Sequence, residues 1–177
     1  MKNPTDVRNL AFISLMLAAS FILTALESML PPLPFAPPGI RLGLSNVVTM
    51  YVLFFAGKKH ALLLIVMKSV FVALTRGPFP GLLSATGGIV SILVLILLLL
   101  LSKRKSYIFF SSMGAIAHNI GQIAAASLLL STNLLAVYWP FILIFGITLG
   151  CITGKILEIV IPYLSRHRIR EQKSEIG

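Results

Sequence analysis

Ten side chains in this sequence carry chemistry inside segments that are otherwise apolar: Glu27, Arg41, Asn46, Lys68, Arg76, His118, Asn119, Gln122, Lys155 and Glu158. A charged or hydrogen-bonding side chain surrounded by hydrocarbon costs several kcal/mol unless it meets a partner, a cavity or a ligand, on the order of 2.5–3.5 kcal/mol for a charge on insertion scales. Lys155 and Glu158 stand three apart on one helical face, and a local ion pair near an interface accounts for them. Lys68 has no acidic residue at helical spacing. Glu27 is the one carboxylate near Arg41, Lys68 and Arg76 in the expected topology, and one carboxylate cannot neutralise three cations. The surplus positive charge points to a ligand bearing phosphate or carboxylate. In "HNIGQ", His118 and Gln122 lie four apart with Asn119 between them, so an imidazole and two amides share one side of a helix. Such a cluster can hold a heteroaromatic or carbonyl-bearing ligand, or tie helices together by hydrogen bonds.

What positions these groups is a membrane bundle. Of the 177 residues, 57% are hydrophobic and 11% charged, a composition far from that of an average soluble domain. The formal charge of +10 does not signal nucleic acid, because the basic residues fall in short clusters between apolar runs. Six apolar helices are expected, near 7–29, 44–57, 61–75, 82–101, 107–130 and 136–164. The second and third are short against the roughly 20 residues that cross a bilayer. A re-entrant hairpin is the alternative for that pair; Lys58, Lys59 and His60 between them favour two full spans with a turn in water.

With six spans, Lys2, Arg8, Lys58, Lys59, Lys103, Arg104, Lys105, Arg166, Arg168, Arg170 and Lys173 fall on one side and only Arg41 and Arg76 on the other. Basic loops stay in the cytoplasm, so both termini are expected there. The fold class is all-α: a single six-helix membrane domain over 1–177, with a short basic cytoplasmic tail from about 165. The expected location is the cell membrane, multi-pass. The long first apolar run argues for a retained span over a cleaved signal peptide. Its small residues Ala11, Ser14, Ala18 and Ala25 permit close packing, either within this protein or against a separate membrane subunit.

The prolines cluster in "PPLPFAPPGIRLGLSNVV", with five of ten between 31 and 40. Proline stiffens the chain and offers no backbone donor, so 31–40 reads as a semi-rigid outer loop, a cover over a site whose rim holds Arg41 and Asn46. A single cysteine, Cys151, excludes an internal disulfide and a cysteine metal cluster. "TRGPFPGL" and "ATGGIVS" lack the strand-to-helix context of a nucleotide-binding loop, and no phosphate-binding Walker motif is present.

The segments "PPGIRLGLSNVVTMYVLFFAGKKHALLL", "LLSATGGIVSILV" and "GAIAHNIGQIAAA" resemble the membrane proteins catalogued as heptaprenyl diphosphate synthase component I, also called the Gx transporter family. The resemblance spans essentially the whole chain. It is similar in architecture to the substrate-binding S components of energy-coupling-factor transporters. That resemblance implies capture of a vitamin or related compound from outside, and docking of the first helix, through its small residues, onto a membrane scaffold that carries two cytoplasmic ATPases. Prenyl diphosphate synthases hold magnesium with aspartate-rich motifs, whereas this chain has one aspartate, Asp6. The expectation is therefore a binding subunit without enzymatic activity, metal or cofactor, with Arg41, Asn46, Lys68, Arg76, His118, Asn119 and Gln122 contacting a small anionic ligand, a flavin by preference. The alternatives are a membrane partner in isoprenoid or quinone biosynthesis and a self-sufficient carrier.

Overall fold

The computed structural model describes residues 4–30, 43–102 and 106–174. They form six helices and, among the described residues, no strand: α1 Pro4–Met29, α2 Leu44–Phe55, α3 Lys58–Arg76, α4 Pro78–Leu101, α5 Tyr107–Leu129 and α6 Leu134–Ser174. The proline-rich stretch 31–42, and Arg41 with it, lies outside the described residues.

Three helices are long and apolar enough to cross a membrane: α1 over Asn9–Met29, α4 over Pro78–Leu101 and α6 over Leu134–Tyr163. The expectation of two full spans from the second and third segments is not met at α2. Its 12 residues rise only about 18 Å, against a hydrocarbon core of about 30 Å. Burial explains the short length. Eight of its residues, including Val48, Tyr51 and Val52, are buried, so α2 is an apolar-all-round helix enclosed by other helices. Helix α6 continues past Leu164, through the basic segment, to Ser174.

Glycines set the sharp reversals. Gly57, at φ +93°, closes α2 with its N–H on the Val52 carbonyl at 3.0 Å, and α3 begins at the next residue. Gly77, at φ +100°, is the single residue between α3 and α4, and Pro78 follows as the first residue of α4. Left-handed backbone of this kind suits glycine, and proline is preorganised for a first helical turn.

Helices α5 and α6 are packed backbone to backbone. Gly146, Gly150 and Gly154, spaced by four along α6, face Ile116, Ser112 and Ile108, spaced by four along α5 in the opposite sense. Small residues at this spacing let two helices approach closely in lipid. The Ser111 and Thr153 hydroxyls, buried at the same seam, hydrogen-bond each other at 2.7 Å. The principal core joins Val52 of α2, Leu64 and Ile65 of α3, Leu95 of α4, Phe110 of α5 and Leu157 of α6. Much of the outer surface stays apolar, with Leu93, Leu97, Leu100 and Ile144 exposed. Lipid is the solvent that suits such a surface.

Candidate functional site

One end of the bundle is built around a cavity of about 420 Å³, within the range of about 300–1,000 Å³ that small-molecule sites occupy. All six helices contribute to its wall. Its mouth is framed by the C-terminal ends of α1 and α3 and the start of α2. On α1 the buried face runs Met16, Ser20, Thr24 and Glu27, a helical stripe that delivers Thr24 and Glu27 to the cavity. Gly43, at φ +75°, precedes α2 and turns the chain so that Ser45 and Asn46 enter its first turn facing Lys68 of α3.

Lys68 is the centre of this arrangement. It is 4% exposed, and its Nζ donates to Asn46 Oδ1 at 3.0 Å and to Ser45 Oγ at 3.2 Å. Glu27 interacts with it electrostatically. The Glu27 Oε1 also accepts the backbone N–H of Leu44 at 2.8 Å, which satisfies a donor at the N-terminus of α2 where a negative charge is favoured. Arg76, two turns beyond Lys68, donates through Nη2 to the Thr24 carbonyl at 2.8 Å, joining the ends of α1 and α3. These contacts give Glu27 and Arg76 structural partners at the mouth.

The opposite wall is carried by α5. Close glycine contacts fix its depth relative to α3: Gly87 abuts the His118 ring and Gln122, and Gly88 abuts Ile65. Lys68 is three residues past Ile65, so it sits about one helical turn nearer the mouth than His118, and Gln122 is displaced in the same direction by one turn of α5. Asn119 is buried and, like His118 and Gln122, lines the cavity. His118 Nδ1 is buried with no hydrogen-bond partner, and the ring lies against Gly87. The side-chain amides of Asn119 and Gln122 make no hydrogen bond to another described residue. Deeper in the cavity the lining turns apolar, with Met50, Ile65, Ile92 and Leu95. The hydroxyls at that depth are already engaged, Ser91 on the Gly114 carbonyl at 2.9 Å and Ser111 on Thr153.

Of the residues singled out in the sequence, Asn46, Lys68, Arg76, His118, Asn119 and Gln122 line this one cavity, and Arg41 lies outside the described residues. Ser45, Thr24 and Glu27 belong to the same wall. Ser45 was legible only as the neighbour of Asn46 in "LSN". Lys155 and Glu158 stand apart from it, and no ion pair joins them; Lys155 is exposed. On α1, Ala11, Ser14 and Ala18 lie on the exposed face, with Ala25 half-buried, so this stripe does not pack inside the bundle.

The fold is an all-helical bundle of known type: it superposes on the S component of a bacterial ECF transporter with a TM-score of 0.58 and 24% identity, over 95% of this chain and 99% of that one. The chain belongs to the heptaprenyl diphosphate synthase component I family, whose model matches residues 16–160. No curated protein sequence matches it.

Proposed function

We propose that this chain is the substrate-binding subunit of an energy-coupling-factor type transporter, a single six-helix domain of the cell membrane with both termini in the cytoplasm and its cavity facing outward. The observation that carries this reading is the set of unspent hydrogen-bonding groups around one cavity: His118 Nδ1, the Asn119 and Gln122 amides and the buried Lys68 ammonium. Buried polar groups are normally paired, and in a membrane core the incentive to pair them is strong. A captured ligand supplies the partners. Lys68 and Arg76 favour an anionic ligand, Arg41 would add a third cation at the rim, and the loop 31–40 would cover it. A flavin, with polar edges and an apolar ring system, suits the lining.

The likeness of fold to an S component and the separation of the basic residues support the same reading. Capture in this scheme is chemistry of binding alone; energy would come from ATPases held by a membrane scaffold, onto which the small stripe Ala11, Ser14, Ala18 and Ala25 would dock. Affinity purification from membranes tests the proposal. Recovery of a scaffold subunit with two ATPases supports it. Recovery of a prenyl diphosphate synthase instead would favour a partner role in isoprenoid biosynthesis, the reading that the family's name suggests. Uptake by the lone protein in liposomes would identify a stand-alone carrier.

A further inference from the structure

The distribution of donors and acceptors around the cavity narrows the ligand further, and this step rests on the capture role just proposed. An ammonium has three N–H donors. Lys68 spends two, on Asn46 Oδ1 and Ser45 Oγ, and the third has no acceptor among the described residues. One turn deeper, His118 presents the opposite need. Its ring lies against Gly87, and Nδ1 is buried and unpartnered. In a neutral imidazole, one nitrogen donates and the other accepts. In the tautomer that carries the ring proton on Nε2, Nδ1 is an acceptor that asks the ligand for an N–H or O–H. Over the span of these two levels, Asn119 and Gln122 each offer an amide with both functions. An amide edge is matched by another amide edge, which carries a C=O and an N–H side by side.

Charge sets the second requirement. Lys68 and Arg76 against Glu27 leave one net positive charge among the described lining residues. The floor of Ile92 and Leu95 favours an apolar body.

We propose that the cavity recognises a cyclic-amide compound with one anionic group: a lactam, ureido or imide ring whose N–H is donated to His118 Nδ1 and whose carbonyl edge accepts from the Asn119 and Gln122 amide N–H groups, with the anionic oxygen taken by Lys68. His118 is then the specificity residue, because a buried acceptor left unpaired penalises any analogue that lacks the N–H.

The full chain, purified in detergent, tests this with three anionic cyclic amides, biotin, orotate and flavin mononucleotide, each against its N-methylated form. Thermal stabilisation and equilibrium binding are the readouts. The expected result is that at least one parent compound binds and raises the melting temperature, and that its N-methylated form binds at least tenfold more weakly. His118→Leu removes that discrimination, and Lys68→Met removes binding of both forms. His118→Phe serves the same purpose if the leucine variant is not monodisperse. Parent and methylated forms that bind wild type alike overturn the His118 assignment and leave anion capture standing. Failure of all three parents to bind overturns anion capture and this inference with it.

Discussion

The Lys68 ammonium rests 3.0 Å from Asn46 Oδ1, so a buried cation is held by a neutral amide rather than by a carboxylate in direct contact. A full ion pair at this point would satisfy Lys68 and cancel the attraction for an anion. The amide holds the ammonium in place and preserves its charge for a ligand.

Asn46→Asp separates these two effects. The new carboxylate would pair with Lys68, so the unliganded protein should melt at the same temperature as wild type or higher, while affinity for an anionic ligand falls by at least tenfold. Asn46→Ala should lose on both counts, because a hydrogen bond to a charged group contributes about 1.5–3 kcal/mol. Thermal denaturation and ligand titration of the two variants, side by side, check the split. Tight anion binding by the aspartate variant would disprove the role given to Lys68.

Glu27 carries the negative charge at the mouth and also accepts the Leu44 N–H. In Glu27→Gln the amide oxygen can keep that hydrogen bond, and the lining gains one unit of net positive charge. Affinity for an anionic ligand should rise several-fold, more at low ionic strength than at high, since salt screens charges near the mouth. Binding isotherms at two salt concentrations measure this. A loss of affinity would mean that Glu27 itself accepts a donor from the ligand.

The seam between α5 and α6 has no room for a methyl group at Gly150, where an added Cβ would run into the backbone of Ser112. Backbone cannot swing away as a side chain can. Gly150→Ala should destabilise the protein by about 1–3 kcal/mol, the usual cost of overpacking. The effect should reach ligand binding as well, because α5 carries His118, Asn119 and Gln122. Thermal melting and ligand titration of this variant together decide the point; unchanged melting would show that the two helices can separate at no cost.

The helices were legible in the sequence because apolar runs, glycines and basic turns mark them directly. The limits expected for the fourth and fifth segments, 82–101 and 107–130, lie within a few residues of α4 and α5. The partnership of Asn46, Lys68, His118 and Gln122 was legible only as a group of polar residues in the wrong solvent. Which of them meet depends on how the helices are rotated and how deep each sits, and that is decided by contacts such as Gly87 on His118 and Gly88 on Ile65. No local pattern encodes those contacts. The enclosure of α2 was hidden for a similar reason: an apolar segment reads the same whether lipid or protein surrounds it, and only its 12-residue length separates the two cases. The seam of α6 glycines could have been found from its four-residue spacing.

The exposed side of α1 supplies the last prediction. Ala11, Ser14 and Ala18 face away from the bundle, whereas Met16, Ser20, Thr24 and Glu27 face into it. A substitution on the first set can therefore block the approach of another membrane helix without touching the cavity. Ala18→Leu adds bulk to a surface that already carries exposed Leu15 and Ile22, so the fold and its melting temperature should be preserved. Recovery of the scaffold and ATPases in a pulldown should drop to a small fraction of the wild-type yield, with ligand affinity unchanged. Gly in place of Ala18 keeps the surface flat and should retain the partners, apart from the helix propensity it costs, about 1 kcal/mol. Full recovery of the complex with Ala18→Leu would show that docking uses another face of the bundle. Loss of ligand binding in the same variant would show instead that α1 had shifted against α2 and α3.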